Sequence, residues 1–197
     1  MMLRTELLFV LSCVSTVAQI KQQPDGPPPS LTVCELLSQP LRYDGQLVQI
    51  RGRLDGTDEG AWFVGDDCPG VFVTNENHVW PSAVSLATSS STSLGKTRLH
   101  SVDFEFNLES SRGLDPKYQR LRSRVPEKCI SWTYTGLFET RRDWAEAKVV
   151  YPNGTTKVIG FGHLGTSPAQ IIVKSADDVA AIPKCRGKPE KAGTIRP

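Results

Sequence analysis

Apolar and polar residues alternate along this chain in several short blocks. In Leu47–Asp55 (LVQIRGRLD), Val48, Ile50, Gly52 and Leu54 fall on one face, and Gln49, Arg51, Arg53 and Asp55 on the other. Period two predicts an antiparallel strand with one buried face. Gly52 inside the apolar set predicts a bend or a close backbone approach. Gly56–Gly60 reads as a hairpin loop, Ala61–Val64 as the return strand, Asp66–Gly70 as a turn and Val71–Thr74 as a third strand. Ser101–Leu108 (SVDFEFNL) alternates again, with Val102, Phe104, Phe106 and Leu108 on one face. Ile130–Glu139 does the same through Ile130, Trp132, Tyr134, Gly136 and Phe138. Pro152-Asn-Gly154 sits between the β-branched runs Lys148–Tyr151 and Thr155–Ile159 and predicts a hairpin. Ala169–Lys174 reads as the last strand.

Helical signals are fewer. Thr32-Val-Cys-Glu35 has the form of a capping box and opens a short helix to about Ser38, with Pro40 blocking its extension. Asp115-Pro116 reads as N-cap and first helical residue. Leu114, Tyr118, Leu121 and Val125 then form an apolar stripe that Pro126 ends. Ser175 and Asp178 suit the cap of a short helical turn before Pro183. Asn75–Lys96 is less regular, and Thr88–Ser93 (TSSSTS) predicts a loop. The fold expected is mainly β with short helices: a small curved antiparallel sheet or partly open OB-like barrel. The excursion Asn75–Lys128 is longer than such a barrel needs.

Composition sets the compartment. The chain has 197 residues, 39% hydrophobic and 22% charged, which suffices for one domain with a core. Arg4 followed by the apolar run Leu7–Ala18 predicts a signal peptide over residues 1–18, too short for a permanent span. A polar, proline-rich leader (19–30), one domain (31–185) and a basic tail (186–197) follow. Once Cys13 leaves with the signal, Cys34, Cys68, Cys129 and Cys185 remain, and two disulfides are expected. Three pairings are possible and the sequence does not choose among them; Cys34–Cys68 with Cys129–Cys185 is the working assignment. No Cys-x-x-Cys pair occurs and the histidines are scattered, so no metal or cofactor is expected. A net charge of +2 gives no case for nucleic acid.

The candidate chemistry is dispersed. Gly160-Phe-Gly-His-Leu-Gly165 has the spacing of a dinucleotide loop. The β-branched run Gln170–Val173 follows where a phosphate site requires a helix, so a glycine-rich connection between strands is expected. His163 within it is a binding candidate. In a hydrolase reading it would work with an acid such as Asp58 or Glu59. Asp55, Asp58 and Glu59 lie at one end of the return strand, and Asp66 and Asp67 at the other, so they do not form one calcium site. Lys117, Arg120 and Arg124 share a helix flank, and Arg51 and Arg53 point outward from the first long strand. Together they are candidates for a basic binding face. Asn153-Gly-Thr155 is formally a glycosylation sequon, which the hairpin accounts for by itself.

Leu41–Val64, with Cys34-Glu35 before it and Asp67-Cys68 after, resembles small exported bacterial proteins of uncharacterised function with an OB-like domain. Gly162-His-Leu and Pro168–Val173 are similar to the closing segment of that group, and the likeness covers about a third of the chain. It brings no activity with it. The expectation is an exported, non-enzymatic binding domain of the cell envelope or beyond, with no catalytic residues assigned and a protein or glycan as partner. The alternative is the His163 hydrolase.

Overall fold

The computed structural model describes residues 26–58, 60–65, 68, 72–73, 78–89, 99–144, 148–150, 152–162, 165–183 and 185. The expected signal peptide, most of the leader and the basic tail lie outside them. The chain is mainly β with a few short helices. The strands are β1 (Ser30–Thr32), β2 (Leu47–Thr57), β3 (Gly60–Val64), β4 (Phe72–Val73), β5 (Val79–Trp80), β6 (Ala83–Ala87), β7 (Ile130–Thr140), β8 (Lys148–Val150), β9 (Thr156–Val158) and β10 (Ala169–Ala181). The helices are α1 (Val33–Ser38), α2 (Pro40–Tyr43) and α3 (Leu108–Arg122), with a 3₁₀ turn at Glu127–Cys129.

Six strands form the main sheet in the order β1-β2-β3-β6-β10-β7, and β7 also pairs with β2. Hydrogen bonds therefore run in a ring through β2, β3, β6, β10 and β7. The result is a curved six-strand sheet with a ring of hydrogen bonds, short of a true barrel. The sheet turns its corner within β2: Leu47–Arg53 pairs with β7, and Arg53–Thr57 pairs with β3. Gly52 stands at that corner. A methyl there would sit 3.2 Å from Val33 Cγ2 and 3.3 Å from Phe63 Cδ1, so the missing side chain is what lets α1 and β3 close over it.

The alternation in the sequence sets the faces. Val48 and Ile50 from β2, Tyr134 and Phe138 from β7, and Ile171 and Val173 from β10 point inward to one core, with Phe63, Val84 and Leu36. Trp80, Trp144 and Phe161 make a smaller second core. The Thr32 capping box forms as expected: Thr32 N donates to Glu35 Oε2 at 2.7 Å, and Glu35 N donates to Thr32 Oγ1 at 3.2 Å. The bonds the Glu35 carboxylate accepts from Thr32 N and, at 2.9 Å, from Thr32 Oγ1, backbone first, hold that carboxyl below its usual range. Disulfides join Cys34 to Cys68 and Cys129 to Cys185. The first ties α1 to the loop beyond β3; the second ties the end of β10 to the start of β7. With sequence separations of 34 and 56, each stabilises by about 4 kcal/mol in the chain-entropy account.

Four expectations are corrected. Residues 101–106 keep their in-out alternation but form no strand. β10 already has β7 on one edge and β6 on the other, so a free edge opens only beyond Ile172, where Asn107 N donates to Lys174 O at 2.8 Å. The segment is thus a strap laid over the sheet. Helix α3 starts at Leu108, not Pro116. Asn107 caps it by accepting from Ser110 N, and Ser110 Oγ in turn accepts from Ala176 N of β10 at 2.9 Å. That anchorage outweighs the cost of Pro116 inside the helix. No helical turn follows Lys174. β7 still offers Ser131–Thr135 as partners, and irregularities between Val173 and Ser175 and between Ala176 and Asp178 absorb the polar stretch into β10. Finally, Ala83–Ala87, in the segment read as irregular, is the ring strand β6.

β7 passes close against β10 at Gly136, where a methyl would lie 2.4 Å from Ile172 O and 2.7 Å from Ile171 Cγ1. Gly136→Ala is expected to destabilise the fold by about 2 kcal/mol or more. Urea unfolding measures this, and an unchanged midpoint would show that the two strands can part at little cost.

Candidate functional site

The glycine loop is closed on itself. Gly160 N donates to Gly165 O at 2.9 Å, Gly165 N to Gly162 O at 3.0 Å, and Phe161 and Ser167 exchange both backbone bonds. Gly162 and Gly165 take the left-handed conformations the turn needs, at φ 76° and 60°. A side chain on Gly162 would strike Ser85 Oγ, and one on Gly160 would strike Ser167 O and the Trp80 ring. The glycines therefore serve the turn and its seating on β6 and Trp80. The amides of Gly160, Phe161 and Gly165 are used internally, and β10 follows without a helix. His163, Glu59, Asp66 and Asp67 lie outside the described residues, so the His163 hydrolase pairing has no geometry here. Asp58 is exposed beside the hairpin loop.

The structure brings some of the basic candidates onto one outer face. Arg51 is in register with Thr133 of β7, and Thr133 with Asp178 of β10, which is ion-paired to Lys117 from α3. Arg53 points the same way and pairs with Asp55 at 3.1 Å. Acids are interleaved throughout. Arg112 meets Glu109 at 2.7 Å, and Arg122 approaches Glu127 at 4.0 Å. The Lys117 bond holds the Asp178 carboxyl below its usual range. Arg120 turns back to the Pro116 carbonyl at 3.4 Å, and Arg124 is exposed just past the helix. A continuous polyanion surface needs uncompensated charge, and this face alternates signs. Beneath the helix, burial and then a 2.6 Å bond to Glu127 push the Tyr118 hydroxyl up to about 12.

Two groupings were not read from the sequence. The first is a pair of buried carboxylates under the start of the strap. Glu139 on β7 is fully buried and accepts from His100 N at 2.7 Å, Leu99 N at 3.1 Å and Gln170 Nε2 at 2.6 Å. Asp44, in the turn after α2, accepts from Thr140 N and from the His100 ring Nε2, each at 3.1 Å, with Arg142 Nε at 3.7 Å. His100 is thus clasped twice, by its backbone on Glu139 and its ring on Asp44. No motif spacing signals this pairing, because its members are far apart in the chain.

The second grouping is an uncharged crevice of about 290 Å³ at the end of the ring. Ala61 of β3, Leu86 of β6, Phe106 of the strap, Val173 of β10 and Tyr134 of β7 form its apolar walls, with Ser111 of α3 and Thr88 beside them. Tyr134 is 7% exposed. Its ring is held edge-on to Phe63 at 5.6 Å and tilted against Trp132 at 6.1 Å. Burial pushes its hydroxyl above the usual range. No hydrogen bond to that hydroxyl is found among the described residues, which also contain no cluster of His, Cys, Asp and Glu suited to a metal and no helix long and apolar enough to cross a membrane.

No protein-family model, curated protein or solved structure matches the chain.

Burial pushes the Glu139 carboxyl above its usual range, against the opposing bonds from Gln170, His100 and Leu99. Folded Glu139 therefore keeps its proton to higher pH than unfolded Glu139. The stability this contributes is complete below the ordinary value of 4.5 and is lost as pH rises through the raised one. The urea midpoint of the wild type relative to Glu139→Gln should fall as pH climbs from the ordinary carboxylate range. A difference flat with pH would contradict this. Glu139→Ala strands three donors at once and should cost about 3 kcal/mol in the acid range, the difference shrinking as pH rises in step with that for Glu139→Gln.

Proposed function

We propose that the chain is an exported binding domain, held together by its two disulfides, whose ligand site is the crevice beside Tyr134. The carrying observation is that crevice: about 290 Å³, walled by apolar side chains at the end of the strand ring, with Tyr134 and Ser111 bringing hydroxyls to its lining. Sites of this kind combine an apolar wall with few polar groups and occur at barrel mouths. The space suits a small molecule more than the protein or glycan partner expected from the outer face. Export is supported by the disulfides and by the signal-like residues 1–18.

Two measurements test this. Protein recovered from its own compartment should begin at Gln19, and its intact mass should rise by about 4 Da on reduction. A mass unchanged by reductant would remove the case for export. A thermal-shift screen against mixed charged and neutral small molecules should find compounds that raise the wild-type midpoint and lose that effect in Ser111→Phe. Ser111 lines the crevice on a half-exposed part of α3, so a ring there narrows the space with little cost to the core. A screen without hits, or hits indifferent to Ser111→Phe, would overturn the assignment.

A second reading rests on the Asp44–His100 pair at 3.1 Å. It is acid–base chemistry at His100, in the role first considered for His163. Hydrolysis of a nitrophenyl ester that disappears in His100→Ala and in Asp44→Asn would support it over binding alone.

A further inference from the structure

The crevice also constrains what it can hold. We propose that it selects small uncharged ring compounds carrying one hydrogen-bond acceptor, with the Tyr134 hydroxyl donating to that acceptor. This rests on the crevice being the ligand site, and it adds the ligand's chemistry.

The selection against charge follows from the walls. Ala61, Leu86, Ala87, Thr88, Phe106, Ser111, Tyr134 and Val173 include no ionisable group of either sign near neutral pH. An ion entering would lose its hydration without gaining a counter-charge. The preference for a ring follows from Phe106 and Tyr134, whose flat faces and edges favour offset or edge-on contact with another ring, while Leu86 and Val173 supply apolar area.

The acceptor follows from Tyr134 itself. Tyr134 lines the crevice, and its hydroxyl bonds no described residue but keeps contact with solvent, so an acceptor on a ligand would take the place of water there. Burial raises the hydroxyl's pKa, so it keeps its proton at neutral pH and is available as a donor. Contacts with Phe63 and Trp132 fix the ring, so the donor's direction is set before a ligand arrives. Ser111 of α3 brings a short hydroxyl to the lining, which allows a second weak polar contact without demanding one.

The test uses three probes of similar shape: acetophenone, isopropylbenzene and benzoate. They are titrated into the oxidised protein and followed by tryptophan fluorescence, to which Trp132 should respond through its contact with Tyr134. In the wild type, acetophenone should bind at least roughly tenfold more tightly than benzoate. Tyr134→Phe should weaken acetophenone by roughly threefold to tenfold and change isopropylbenzene by less than about twofold. Ser111→Phe should weaken both. The proposal is overturned if ketone and hydrocarbon respond alike to Tyr134→Phe, or if benzoate binds best. Should none of the three bind while other compounds in the screen do so in a Ser111-dependent way, the ligand class is wrong and the site stands. Should nothing bind in either experiment, the site itself is wrong.

Discussion

The fold depends on the antiparallel pairing of β7 with β10. It runs from Ala169 opposite Thr140 to Ala181 opposite Ile130, and each of the two strands has a further partner in the ring, β2 for β7 and β6 for β10. Inward residues of this pair supply much of the main core. The Cys129–Cys185 disulfide and the bond from Ile182 N to Cys129 O at 2.8 Å fasten one end of it. The approach is so close at Gly136 that a side chain there would meet β10 backbone. Both unexpected groupings are built on this pair. Glu139 and Gln170 face each other across its outer side, and Tyr134 and Val173 face the crevice from its inner side.

That arrangement separates two kinds of polar group. Glu139 and Asp44 are surrounded by donors and use them to hold the strap and the His100 ring against the sheet. Their hydrogen-bonding capacity is spent within the fold, which is how buried carboxylates are accommodated. Tyr134 is buried among apolar side chains and rings with its hydroxyl unengaged among the described residues. A satisfied network fixes a structure; a donor that has no protein partner and lies beside an open space is a place for a ligand to displace water. The difference is why the crevice, and not the carboxylate cluster, carries the functional proposal.

Much of the architecture was legible residue by residue. The capping box at Thr32, the inward faces of β2 and β7, the hairpin at Asn153-Gly154 and the glycine loop as a connection between strands all follow from local pattern, because period, cap and turn chemistry act over a few residues. The misread segments share a cause. Ser101–Phe106 has strand alternation but lacks a free edge to pair with. Ser175–Asp178 has capping residues but faces an unfinished strand in β7. Asp115-Pro116 looks like a helix start, but the start lies upstream where Asn107 and Ser110 reach β10. In each case a partner distant in sequence overrode the local preference.

The sequence by itself determined which residues face inward, where the turns fall and that the chain is mainly β, since these are set by side-chain period and backbone preference. Only the tertiary structure decided the closure of the strands into a ring, the role of Ala83–Ala87 as a ring strand, and the joining of Asp44, His100 and Glu139 in one cluster. It also decided that Tyr134 and Phe106, among several inward aromatic residues in the sequence, are the ones that line the crevice. That depends on where α3, the strap and four strands stop short of filling the end of the ring, which is a matter of shape and not of pattern.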